Sequence, residues 1–73
     1  MSLEKIGEIN SLLKEGESKD QSQKGEALHL LENAFSMYEE LRRERGRSYC
    51  SNNCPDIPRR MNMLAEKLTE YIS

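Results

Sequence analysis

Apolar residues recur at steps of three and four in three stretches of the chain, and polar or helix-breaking residues separate them. In the first stretch, Leu3, Ile6, Ile9 and Leu12/Leu13 share one helical face. Ser2 is placed to cap that helix and Gly16 to stop it, which predicts a helix over about residues 3–15. The second stretch, Glu26 to Arg45, is the longest run without Pro or Gly. Its stripe begins at Ala27/Leu28 and continues through Leu31, Ala34/Phe35, Tyr38 and Leu41. Arg42, Arg43 and Arg45 suit the negative end of a helix dipole, and Gly46 suits an αL cap. The start is less sharply marked, because Ser18 with Gln21 and Asp20 with Gln23 both have capping-box spacing. The prediction is a helix from 20/26 to 45. In the third stretch Ile57, Met61, Leu64, Leu68 and Tyr71 step 4, 3, 4, 3, and Ala65 and Ile72 broaden the seam. With Asp56 as a cap and Pro58 in the first turn, this predicts a helix over about 57–72.

Between these stretches, Gly16 to Gly25 is polar and predicts an exposed connection, and residues 46–56 have the composition of a loop. Three amphipathic helices with short links predict an all-α fold, an up-down-up three-helix bundle forming a single domain over residues 1–73. Val is absent, Thr occurs once and Ile four times, which favours helix over sheet. A chain of 73 residues buries only about 60% of its unfolded surface, so a partner chain or self-association into a homodimer is a live expectation.

The net charge of −2 conceals an asymmetry. Residues 1–40 carry nine acids against four lysines, whereas residues 41–60 carry six arginines against Glu44 and Asp56. No apolar run reaches 18 residues, so no transmembrane segment is predicted, and the start lacks an apolar signal-peptide core. These features predict a cytoplasmic protein.

Candidate chemistry is sparse. His29 is the lone histidine, and no glycine-rich phosphate loop occurs. The expectation is a protein without catalytic residues, cofactor or enzymatic activity. Cys50 and Cys54, even with His29, supply too few ligands for a structural zinc, so no metal is expected. The pair is either two free thiols in a reducing compartment or a local disulfide closing a very short loop. Arg42, Arg43, Arg45, Arg47, Arg59 and Arg60 flank one loop, and the fold would gather them at one end. They form an anion-binding candidate, with Tyr49 available for stacking. They also suit dipole complementation, Glu39–Arg43 pairing and solvation. The acidic remainder and a pI near 5.4 weigh against general nucleic-acid binding.

Met61 lies in the third seam and is expected in the core. Leu30, Met37 and Met63 are left over once each helix has presented one face. They are candidates for a docking surface on the helix 2/helix 3 face, taking a helical segment or tail of a protein partner.

Two patches carry a family resemblance. Gly25-Glu26-Ala27-Leu28-His29-Leu30-Leu31-Glu32-Asn33-Ala34 resembles the second-helix opening of the MIT (microtubule-interacting and transport) domain. Ala65-Glu66-Lys67-Leu68-Thr69-Glu70-Tyr71-Ile72 resembles its third-helix ending. Together they cover about a quarter of the chain. The family is a three-helix bundle of similar length. The resemblance implies a groove between helices 2 and 3 that receives a short helical tail of an ESCRT-type membrane-remodelling protein.

Overall fold

A computed structural model describes the backbone of residues 2–72 and the side chains of residues 4–71. Among the described residues the secondary structure is entirely helical, with no strand. The helices are α1 (Ser2–Glu17), α2 (Lys24–Arg45), α3 (Arg47–Asn53) and α4 (Ile57–Ile72), and a 3-10 turn over Gln21–Gln23 leads into α2. The chain is therefore all-α, with one helix more than the three expected.

The spine is α2. Its 22 residues, at about 1.5 Å each, span roughly 33 Å of a body 36 Å long. α1 packs along it in the opposite direction. Lys5, near the start of α1, donates to Glu44 Oε1 at the end of α2 (3.0 Å), and Gly16 lies against Ala27 and Leu30 at the start of α2. α4 returns alongside α1. Arg60 Nη1 donates to Asn10 Oδ1 (2.6 Å), Lys67 Nζ donates to the Glu17 carbonyl (2.7 Å), and the Tyr71 hydroxyl donates to the Lys19 carbonyl (3.4 Å).

The interior is built from stripes of regular step. α1 contributes Ile9 and Leu13, and α2 contributes Ala27, Ala34 and Leu41, seven residues apart. The small alanines let α1 approach the spine closely. Cys50, Cys54, Ile57, Met61, Leu64 and Leu68 complete it at steps of 4, 3, 4, 3, 4. The seam of α4 thus runs backward through Pro55 and Asp56 into α3. This is why residues 46–56 do not form the loop that their composition predicts. The sequence of α3 has weak helix propensity, and burial of Cys50 with half-buried Tyr49 supplies what propensity lacks. Its last turn is closed by Asn53 Nδ2 donating to the Tyr49 carbonyl (2.9 Å) and by Cys54 N–H donating to the Cys50 carbonyl (2.9 Å).

One expected boundary and one expected cap are corrected, while the start of α2 falls inside its predicted range and its end is as predicted. Gly16 does not stop α1: it is buried inside the helix, on the Ile9–Leu13 stripe, where the lack of a side chain admits Leu64 of α4. Termination comes two residues later. Ser18 N–H donates to the Lys14 and Glu15 carbonyls (3.2 and 3.1 Å), and its hydroxyl donates to Glu15 O (2.6 Å). At the other side of the connection, Asp20 Oδ1 accepts from both the N–H and the hydroxyl of Ser22 (3.1 and 2.6 Å), capping the 3-10 turn and delaying α2 to Lys24. Gly46 ends α2 by donating its N–H to Arg42 O (2.8 Å), but at φ 87° and ψ 168° it is not an αL cap. That region is open essentially to Gly alone, and it turns the chain directly into α3. Asp56 offers its carbonyl to Arg60 N–H (2.9 Å) at the start of α4. The side chain of Ser2, expected as a cap, lies outside the described residues.

Candidate functional site

α2 packs along α1 more extensively than along α4. The second side of the spine is therefore left partly open, as a groove of about 910 Å³ between α2, α3 and α4. Its apolar lining is Leu31, Phe35 and Tyr38 from α2, Cys50 from α3, and Met61 and Ala65 from α4. Leu31, Phe35, Tyr38 and Arg42 step 4, 3, 4, so they form a stripe rotated away from the Ala27–Ala34–Leu41 seam and toward α4. On the α4 side Asn62 and Ala65 are too small to fill the space opposite. Phe35 stays 53% exposed, and Leu28, one turn before Leu31/Glu32 on the same side of α2, is 46% exposed. Polar ends close the groove: Glu32 toward the start of α2, and Arg42 and Arg47 where α2 gives way to α3.

The expected docking residues are dispersed. Leu30 is half-buried beside Gly16 at the α1 interface. Met37 faces a different groove, between α1 and α2, whose rim carries Glu4, Glu8 and Glu15. Met63 is 60% exposed on the outer side of α4 and does not line the α2/α4 groove. The residues that line it instead, above all Phe35 and Tyr38, belong in the sequence to the stripe expected in the core. The available signal was the width of that stripe: Ala34/Phe35 and Tyr38/Leu41 span more of the helix than one seam can bury.

The arginines are dispersed as well. Arg60 leaves the cluster for α1, where its guanidinium meets Glu17 (3.4 Å) and Asn10. Arg42 pairs with Glu39 (3.3 Å), the residue expected to pair with Arg43, and sits 6.0 Å from the Tyr38 ring centroid. Arg45 covers the face of Tyr49 at 5.6 Å, so that ring is already stacked on a cation. Arg43, Arg47 and Arg59 are exposed. At the opposite edge Lys5 joins Glu44 and Glu40 (3.0 and 3.7 Å), and this contact, chiefly the hydrogen bond to Glu44, raises the ammonium pKa and lowers that of Glu44.

Cys50 and Cys54 are free thiols, both buried and four residues apart, and Cys50 lines the groove. Burial first, then the neighbouring Cys50, pushes the Cys54 thiol up to about 11. Burial also raises the Tyr38 phenol, with the two thiols adding to the effect. Both groups hold their protons more tightly when folded than when unfolded. The Cys54 contribution to stability is complete below about pH 9 and is lost as pH rises through about 11, and the Tyr38 contribution is lost in the same direction. Denaturant unfolding under reducing conditions is expected to show stability falling across that window, and Cys54→Ala to show a shallower fall. Equal slopes in the two proteins would contradict the burial of this thiol. His29 is exposed, and among the described residues no group of three or more His, Cys, Asp or Glu is placed to hold a metal ion. No described helix is long and apolar enough to cross a membrane.

Compared with family models, curated proteins and solved structures, the chain matches none.

Proposed function

We propose that this chain is a small helical interaction module whose α2/α4 groove receives the apolar face of a helix. In this reading α1, α2 and α4 act as an up-down-up bundle, and α3 is a wedge that holds the lower ends of α2 and α4 apart. The observation that carries the reading is Phe35. A ring left 53% exposed beside an apolar groove, the most exposed large apolar side chain of α2, is an anchor without a cover. The groove runs the length of several helical turns, which suits a helix laying down residues at i, i+3 and i+7. The MIT-like patches at 25–34 and 65–72 support the same class of occupant, a helical tail.

The test uses two substitutions that act on the groove from opposite walls. Phe35→Asp removes the anchor, and Ala65→Arg fills the space across from it. Both positions are exposed, so each variant is expected to keep its helical circular-dichroism spectrum. Each is expected to weaken capture of partner proteins from native lysate at least tenfold, the scale of losing one interface anchor. Glu8→Lys, on the α1/α2 groove, is expected to leave capture unchanged. Identical capture by all three variants would refute the assignment.

A further inference from the structure

We infer that the partner helix received by the α2/α4 groove is bipolar, with basic side chains at one end and acidic side chains at the other. Its basic end lies over Glu32 and Glu66, and its acidic end lies toward Arg59 and Arg47. The inference rests on the reading of that face as a helix-docking surface and adds the chemistry and placement of the partner.

Two contacts set how the walls of the groove line up. Gly16 lies against both Leu30 and Leu64, which puts those two residues at one level. α4 runs opposite to α2, so each residue back along α4 matches one residue forward along α2. Gln21, just ahead of α2, agrees with that count: its Nε2 donates to the Tyr71 carbonyl (3.3 Å), and Tyr71 counts to about position 23. Glu66 then stands about level with Leu28, Asn62 with Glu32, and Arg59 with Phe35. Asn62 and Ala65 border both the groove and the shallower depression that carries Glu66, so Glu66 is on the rim. Pro58 lines the groove and Arg59 follows it.

The charged side chains that line the groove itself are Glu32, Glu39, Arg42 and Arg47. Glu39 and Arg42 pair with each other at 3.3 Å, and their charges offset. What is left is Glu32 with Glu66 toward the start of α2, and Arg59 and then Arg47 toward α3. These four are exposed, and none forms an ion pair with another described residue. The groove is therefore acidic at one end and basic at the other, and the sign changes near Phe35. Exposed charges contribute little affinity each, but like charges set against them oppose docking and opposite charges fix placement. A helix of one sign throughout meets repulsion at one end of this groove. A helix with its two signs grouped at opposite ends meets none, in one placement only. Side-chain charge decides that placement, so the acidic end is expected toward Arg47 whichever way the partner chain runs.

The experiment titrates the isotope-labelled chain with synthetic peptides of about 16 residues that share one leucine face and differ in charge. One is acidic in its N-terminal half and basic in its C-terminal half, one is the reverse, one is basic throughout and one acidic throughout. At about 50 mM salt both bipolar peptides are expected to bind at least about fivefold more tightly than either uniform peptide, and the preference is expected to shrink as salt is raised. A nitroxide on the acidic end is expected to broaden the amides around Arg47 and Ser51 in both bipolar complexes and to spare those of Leu28 and Ala65. Glu32→Lys/Glu66→Lys, at two exposed positions, is expected to keep its helix content and to transfer the preference to the acidic peptide. Equal affinity for all the peptides overturns the inference, as does an acidic end found over Glu32 and Glu66. A preference unchanged by Glu32→Lys/Glu66→Lys, or failure of every peptide to bind, overturns it too. If Phe35→Asp still weakens capture from lysate in any of those cases, the charge polarity fails and the docking surface stands. If capture is unchanged as well, both fail.

Discussion

Leu41→Ala is expected to remove a large share of the stability of this protein. Leu41 is fully buried, in the last helical stretch before Gly46, and belongs to the cluster shared by all four helices. Truncating a buried Leu to Ala costs about 2–5 kcal/mol, because the lost transfer energy is compounded by the cavity left behind. A chain of 73 residues has about 4–11 kcal/mol in total, at roughly 0.05–0.15 kcal/mol per residue. The next residue of the seam, Ala34, lies two helical turns away and is too small to reach into the vacated space. The cost is therefore expected toward the upper part of the range. A thermal melt followed by circular dichroism would show a midpoint at least about 10 °C lower. Leu28→Ala, at a site 46% exposed, is expected to move the midpoint by much less. Similar melts for the two variants would mean that the seam does not lie where it has been placed.

Gly16→Val is expected to be the second most disruptive change, although it exchanges a poor helix former for a better one. A Cβ at this position would meet Leu64 Cδ2 at 2.9 Å, Leu30 Cβ at 3.7 Å and the Ala27 carbonyl oxygen at 3.8 Å. Leu64 is 1% exposed and has little room to yield. Val adds two further methyl groups to that contact, so α1 must separate from α4 or Leu64 must leave its rotamer. Overpacking of this kind costs about 1–3 kcal/mol. Gly7 is the internal control. A Cβ there meets nothing within 4 Å, and Gly7→Ala is expected to stabilise by about 0.4–1 kcal/mol through the unfolded chain and helix propensity. Opposite signs at two glycines of one helix, read by urea denaturation, would establish which face of α1 carries the close contact. Destabilisation at both, or at neither, would contradict it.

The Gly16 case shows where periodicity could be followed and where it was cut short. The step from Ile9 to Leu13 to Gly16 continues the α1 stripe, but a glycine after a polar turn also has the appearance of a stop, and composition favoured the stop. The same competition hid α3. Cys50 and Cys54 extend the 4-3 rhythm of α4 backward without a break, yet Ser, Asn, Gly and Pro around them signal a loop. In both places local propensity spoke for one outcome and burial imposed the other. The long helices were legible because apolar spacing and end signals agreed: Arg45 followed by Gly46, and Pro58 in a first turn.

The groove was less legible than the helices for a geometric reason. A sequence stripe shows which residues share a helix side, but not how a wide stripe is divided between two neighbours. Leu31, Phe35 and Tyr38 turn toward α4, and Ala27, Ala34 and Leu41 toward the interior, a rotation that becomes visible once α1 and α4 are both in place. Met37, which the sequence groups with Met63, lies on the α1 side for the same reason. The arginines illustrate a further limit. Six in one region suggest a shared anion, but Glu17, Asn10, Glu39, Tyr38 and Tyr49 engage three of them within the fold.

The central claim is that the side of α2 facing α4, with Phe35 at its rim, is the surface through which this protein meets a helix. Amide and side-chain NMR spectra of the labelled chain, recorded while partner protein captured from native lysate is added, test it most directly. The predicted result is shifts confined to Leu31, Phe35, Tyr38, Met61 and Ala65, with Glu4, Glu8, Leu12 and Met37 on the α1/α2 side unmoved. Shifts that map instead to the α1/α2 side would contradict it.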